Sequence, residues 1–139
     1  MRNTVLSLVL CLTCSAGVAA APARFMPAPA GSNLMARVPI KLGYYVHDYD
    51  KCSAPTWVTK FGPGTVTEID DEGAAVMRLA SVKPESGGYW LQFAGEFEEQ
   101  DPQGIQLEPK GPGRIQVTIQ DTATMHFCRP EELPAKFRK

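Results

Sequence analysis

The chain has 139 residues, with 14 lysines and arginines against 15 aspartates and glutamates and a formal net charge of −1. This length predicts a single domain. The nearly balanced charge argues against a general nucleic-acid-binding protein, because such proteins carry a marked excess of basic residues.

The first twenty residues have the features of a secretory signal. Arg2 supplies a positive start, residues 5–13 form a short apolar run, and small residues precede a cleavage site predicted after Ala20. The apolar run is too short to span a membrane. Lipid attachment at Cys14 is disfavoured, because the preceding Thr13 is not the small residue that lipidation requires. We therefore expect residues 1–20 to be a signal peptide and the protein to be periplasmic or secreted, with no membrane span.

Residues 21–38 are rich in alanine and proline and show no regular spacing of apolar residues. Proline removes amide hydrogen-bond donors and favours extended backbone in its neighbours. We expect this segment to be a flexible leader that does not pack on the rest of the protein. A single folded domain is expected over residues 39–139.

Eight segments of this domain are rich in β-branched and aromatic residues and are separated by turn-forming sequences. They are residues 40–46, 56–61, 65–69, 74–82, 89–97, 104–108, 114–120 and 122–128. In the clearest of them, Ile115, Val117 and Ile119 alternate with polar residues and are predicted to face inward. The pattern predicts an all-β fold, a small antiparallel meander of seven to eight strands that closes or nearly closes into a barrel. One helical turn is expected at residues 130–133.

Loss of the signal would leave two cysteines, Cys52 after the first predicted strand and Cys128 at the end of the last. The first and last strands of a closed meander are neighbours, and exported proteins meet an oxidising environment. We therefore predict a disulfide, which would stabilise the fold by about 4 kcal/mol in the loop-entropy model. The alternative, if the thiols are free, is a zinc site formed by His47, Cys52, His126 and Cys128. No cofactor is predicted.

Enzyme signatures are not found in the sequence. His47, Asp48 or Asp50, and Ser53 are residue types that a catalytic triad uses, but no recognised motif places them together. We therefore expect a protein without enzymatic activity, and a periplasmic hydrolase is the least favoured alternative.

The two ends of the domain resemble those of a group of small exported proteobacterial proteins. The matching residues are 43–46, Cys52, Phe127 and Cys128, Leu133 and Pro134, and Phe137 and Arg138. This chain departs from the group in having Arg129 between the cysteine and the following proline, and in lacking cysteines between its two ends. The group has no agreed activity, so the resemblance implies no site residues.

Residues 84–90 are more loosely similar to a loop of periplasmic inhibitors of C-type lysozyme, which are small β-barrels that present a Ser-Gly loop to a basic enzyme. The likeness implies a partner-binding hairpin formed by Ser86, Gly87, Gly88 and Tyr89. A Ser-Gly-Gly sequence is also what a tight hairpin needs for structural reasons alone.

Two acidic segments, residues 68–72 and 96–101, would suit a cationic partner, although solvated loops explain them equally. The leading hypothesis is a non-enzymatic exported binding domain with a protein partner, in its most concrete form an inhibitor of a lysozyme-like enzyme. The second hypothesis is a small-molecule carrier that holds its ligand in the mouth of the barrel.

Overall fold

The computed structural model describes residues 20–139, so the predicted signal peptide and Cys14 lie outside the described part of the chain, apart from Ala20. The strands are β1 (Ala23–Phe25), β2 (Gly43–His47), β3 (Val58–Phe61), β4 (Thr65–Ile69), β5 (Ala74–Glu85), β6 (Gly88–Phe93), β7 (Gly95–Phe97), β8 (Gly104–Pro109), β9 (Arg114–Thr118) and β10 (Thr122–Cys128). Three short 3₁₀ helices are η1 (Leu34–Arg37), η2 (Pro130–Glu132) and η3 (Ala135–Phe137). Within the described range, no helix has the length and apolar composition needed to cross a membrane.

Eight of the strands form a closed antiparallel barrel in the order β10-β2-β3-β4-β5-β6-β8-β9. The barrel closes where β10 pairs with β2, with Met125 opposite His47 and Cys128 opposite Tyr44. Closure pairs the edge strands that an open sheet would expose. The predicted all-β fold and closed meander are confirmed.

The strand predicted over residues 89–97 is divided at Ala94. Gly95 adopts a φ of +145°, which a residue with a side chain rarely adopts, and the chain turns away from the barrel there. The following strand, β7, pairs with β1 in a separate two-stranded sheet, with Arg24 opposite Glu96. We call these two strands the β1–β7 ribbon.

Alternation along the barrel strands fills the interior with apolar side chains. The buried cluster includes Tyr45, Phe61, Val66, Leu79, Leu91, Phe93, Ile105, Leu107, Ile115, Val117 and Met125. Tyr45 lies edge-on to both Phe61 and Phe127, with ring centroids 5.6 Å apart in each pair. Its hydroxyl donates to the carbonyl oxygen of Lys41 at 2.8 Å, which satisfies the polar end of a buried ring.

The inward prediction for Ile119 is wrong, whereas Ile115 and Val117 are buried as predicted. Strand β9 ends at Thr118, and the amide of Ile119 donates to the carbonyl of Asp121 at 3.3 Å in the turn that follows. The alternation therefore stops before Ile119, whose side chain is 46 % exposed.

Residues 21–38 pack on the barrel, which differs from the expected flexible leader. Met35 in η1 is 2 % exposed, Val38 is 5 % exposed, and both belong to the interior cluster. The amide of Met35 donates to the carbonyl of Pro63 in the β3–β4 turn at 3.2 Å. Helix η1 therefore covers the end of the barrel at which this turn lies, and the folded unit extends N-terminal to Pro39.

The residues after β10 form a second core on the outer face of the barrel. Helix η2 corresponds to the predicted turn, and together η2 and η3 hold Leu133 and Phe137, each 1 % exposed, against the barrel wall. Their partners are Tyr44, Val46, Val58, Ile69 and Cys128. The C-terminal tail thus covers the outside of β2, β3 and β4.

A disulfide joins Cys52 to Cys128, as predicted, with their Cα atoms 5.7 Å apart. Cys52 lies in the loop between β2 and β3, and Cys128 is the last residue of β10. The bridge therefore ties this loop to the strand that closes the barrel.

Candidate binding site at the open end of the barrel

The two ends of the barrel differ. Helix η1 covers one end, whereas the other end, where β2 and β4 finish and β5 begins, contains two adjoining cavities. Their volumes are about 790 and 310 Å³, and both are lined by Trp57, Glu68, Pro102 and Ile119. We call the two cavities together the mouth.

The larger cavity lies between the β1–β7 ribbon and the barrel. Phe25 and Phe97 line it from the ribbon, with ring centroids 6.2 Å apart, and Phe93 lines it from the barrel. Arg24 and Glu96 form an ion pair at its rim, at 3.2 Å, in which both side chains are well exposed. Water screens such a pair, so the ribbon contributes an apolar wall with a nearly neutral rim.

Exposed apolar side chains are concentrated at the mouth. Among the described residues, six large apolar side chains are at least 37 % exposed, and four of the six line the larger cavity. These four are Met26, Trp57, Val76 and Ile119. Single exposed apolar residues are ordinary, but a group of them around a cavity indicates a contact surface.

Glu68 lies on the inward face of β4, two residues after Val66, and lines both cavities. It pairs with Thr59 on β3, whose hydroxyl lies 3.2 and 3.1 Å from the two carboxylate oxygens. The indole N–H of Trp57 donates to that hydroxyl at 3.3 Å. Burial raises the pKa of Glu68, against the lowering effect of hydrogen bonds from Thr59 and Trp57. A partly desolvated carboxylate in an apolar mouth is the kind of group that marks a binding site.

Aromatic rings stand beside Glu68 in the smaller cavity. The ring of His47 stacks on Tyr49, with centroids 5.0 Å apart and planes inclined by 16°. It also meets Trp57 edge-on, with centroids 5.2 Å apart. The loop that carries these rings is fixed by Asp50, which accepts hydrogen bonds from the backbone amide of Thr56 at 2.8 Å and from its hydroxyl.

Glu68 is not among the site residues that the sequence predicts. It was grouped with residues 68–72 as an acidic segment, but it belongs to β4 rather than to the turn after it. The sequence does contain a signal for the inward position of Glu68. Glu68 lies two residues after Val66, and this spacing places both side chains on the same face of a strand.

The structure does not bring together the four residues of the alternative zinc site. Cys52, His126 and Cys128 have their ligand atoms within 4.8 Å of one another, and Nε2 of His126 lies 3.7 Å from Sγ of Cys52. His47 belongs to the aromatic stack at the mouth instead. The two sulfurs are joined to each other, so they do not offer the thiolates that zinc binds.

Of the residues considered for a triad, His47, Asp48 and Asp50 have other partners, and Ser53 is exposed. The ring of His47 contacts Tyr49 and Trp57, and a carboxylate oxygen of Asp48 lies 3.5 Å from Nδ1 of His126. Asp50 accepts its hydrogen bonds from Thr56, as described above.

The predicted partner-binding hairpin lies at the opposite end of β6 from the mouth. Ser86 and Gly87 form the two-residue turn between β5 and β6 and are exposed, and Gly87 has a φ of +81°. A Cβ at Gly88 would lie 2.2 Å from the carbonyl oxygen of Leu107, so this glycine is required by packing. Tyr89 is half-buried and packs against the interior cluster. Ser86 and Gly87 form the exposed tip, and Tyr89 is partly exposed beside it.

Comparison of the chain with protein-family models, curated proteins and solved structures found no match. The function is therefore inferred from the geometry of the site.

Proposed function

We propose that this protein is an exported, non-enzymatic binding domain that holds an apolar small molecule in the mouth of its barrel. The observation that supports the proposal is the coincidence of two adjoining cavities with four of the six large exposed apolar side chains. Small-molecule sites have volumes of about 300–1,000 Å³, are mostly apolar and contain a few convergent polar groups. Each of the two cavities lies within this range of volumes, and Glu68, Thr59 and His47 are among the polar groups that line them.

The two ends of the barrel favour entry through the mouth. Met35 belongs to the interior cluster at the end that η1 covers, and the cavity of about 540 Å³ near that end, lined by Lys41 and Pro109, shares no lining residue with the mouth. The apolar body of the ligand would lie between Phe25 and Phe97 of the ribbon and Phe93 of the barrel.

The experiment is a titration of the purified protein with a neutral fluorescent apolar dye, N-phenyl-1-naphthylamine. Ile119 is exposed at the mouth, so Ile119→Asp places a charge there without disturbing the core, and we expect dye affinity to fall about tenfold or more, which corresponds to about 1.4 kcal/mol. The matched control is Leu42→Asp, since Leu42 is 37 % exposed and lines neither cavity. Equal dye binding by the two variants, or no binding by the native protein at high micromolar concentration, would refute the proposal.

A second candidate is the inhibitor of a lysozyme-like enzyme, which is favoured by the exposed two-residue tip at Ser86 and Gly87. Inhibition of a C-type lysozyme in a cell-lysis assay, lost in Ser86→Ala, would support this candidate. Ser86 is the discriminating position, because truncation of Tyr89 would also disturb the core. Native protein that slows none of several lysozymes would leave the mouth as the binding site.

A further inference from the structure

Glu68 has unused capacity to accept hydrogen bonds. Its carboxylate offers about four acceptor positions, whereas the hydroxyl of Thr59 and the indole N–H of Trp57 have one hydrogen each to donate. None of the ion pairs formed within residues 20–139 involves Glu68. A partly buried carboxylate that has no cationic partner destabilises the protein, unless a bound ligand supplies the positive charge.

The charged groups around the mouth are unevenly distributed. The smaller cavity is lined by Glu68 from β4, by His47 from β2 and by Asp121 from the turn before β10, and neither lysine nor arginine lines it. The basic side chains lie at the larger cavity, where Arg24 is paired with Glu96 and Arg78 is exposed on β5. The smaller cavity is therefore the acidic end of an otherwise apolar site.

Aromatic rings line the same small cavity. Trp57 and His47 meet edge-on there, 5.2 Å apart, and Trp57 also borders the larger cavity. Ammonium groups are attracted to the faces of aromatic rings such as that of Trp57, and more strongly where water is partly excluded. A carboxylate beside aromatic rings is a complementary environment for an organic cation.

We infer that the ligand is a cationic amphiphile, with an ammonium group in the smaller cavity beside Glu68 and Trp57 and an apolar body in the larger cavity. This inference rests on the proposed function and adds the chemical class of the ligand. Lipid-like amines and alkyl ammonium compounds have this combination of charge and apolar length.

Binding of the cation requires ionised Glu68. Burial raises the pKa of this carboxyl, so affinity for the cation should increase as the pH rises through that raised pKa and become constant above it. His47 and Asp121 line the same cavity, so the pH profile of Glu68→Gln provides the baseline from which the contribution of Glu68 is read.

The experiment compares three probes of equal chain length on the full mature protein by calorimetry, each below its micelle concentration: dodecyltrimethylammonium, 1-dodecanol and dodecanoate. We expect the cation to bind about tenfold more tightly than the alcohol, a difference of about 1.4 kcal/mol. Glu68→Gln should remove this preference and leave the affinity for the alcohol within about twofold, which is less than 0.5 kcal/mol. Glu85→Gln is the matched control and should retain the preference, because Glu85 is exposed at the far end of β5 and lines neither cavity.

The outcomes separate the inference from the proposed function. If the alcohol or dodecanoate binds as tightly as the cation, the mouth is a binding site but the inference is wrong. If Glu68→Gln weakens alcohol binding and leaves cation binding unchanged, Glu68 acts as a protonated donor to a neutral ligand, which also overturns the inference. If none of the three binds, the proposed function itself fails. The comparison on the native protein decides the matter even if Glu68→Gln does not fold.

Discussion

Replacement of Met35 by alanine tests whether the N-terminal segment is part of the fold. Met35 is 2 % exposed in η1, and its side chain packs in the interior cluster with Tyr45, Phe61 and Leu79. The substitution removes three side-chain heavy atoms, worth about 2.4 kcal/mol at about 0.8 kcal/mol for each buried methylene-sized group. The cavity left behind raises the expected loss to about 3 kcal/mol, within the range of about 2–5 kcal/mol for such changes.

The assays are equilibrium unfolding in urea and thermal unfolding of the oxidised protein. Both are followed by tryptophan fluorescence and circular dichroism. For a domain of this size, a loss of about 3 kcal/mol lowers the melting temperature by about 10–20 °C. Met26→Ala is the matched control, because Met26 belongs to the same segment but is 70 % exposed, and its change should stay within about 0.5 kcal/mol.

Equal stability of the two variants would refute the reasoning. It would mean that η1 does not close the barrel and that residues 21–38 act as the flexible leader that their composition suggests. A loss confined to Met35→Ala would instead predict that deletion of residues 21–37 lowers stability by at least as much.

Two further predictions concern the disulfide and Glu68. Alkylation of the unfolded, unreduced protein should label neither Cys52 nor Cys128, and reduction should lower the free energy of unfolding by about 4 kcal/mol; two labelled cysteines would contradict the bridge. Because burial raises the pKa of Glu68, its carboxyl stabilises the fold when protonated and loses that contribution as the pH rises through the raised pKa. Glu68→Gln should therefore match the native protein in stability below the pKa of the unfolded carboxyl and exceed it increasingly as the pH rises, and urea titrations that show a constant difference across pH would contradict this account.

The barrel could be predicted because its strands are short, regular and separated by turn sequences. The disulfide followed from the topology, since strand closure places the β2–β3 loop beside the end of β10. Both inferences depend on local sequence patterns and on the rule that the first and last strands of a closed barrel are neighbours. Neither requires knowledge of the packing between distant segments.

The face of each strand that points inward was harder to predict. In β4, Val66 and Ile69 are each 1 % exposed although they lie on opposite faces, because Ile69 is covered by the C-terminal tail. When both faces of a strand are buried, neither face is marked as the solvent side by polar residues, so the sequence does not show which face points into the barrel. The inward position of Glu68 is therefore not predicted from the sequence. Met35 was missed for another reason: η1 packs through a single turn of 3₁₀ helix, which is too short to have a period.

Closure of the barrel also bears on how the chain folds. Cys52 and Cys128 are 76 residues apart, and the pairing of β2 with β10 joins the first and last strands of the barrel in chain order. Pairings of such long range make folding slow relative to the formation of local hairpins. After residue 20 the chain contains these two cysteines and no others, so a single intramolecular pairing is available and oxidation cannot trap a scrambled isomer. The pairing of β2 with β10 brings the two thiols together, so we expect closure of the barrel to speed formation of the bridge in a refolding experiment.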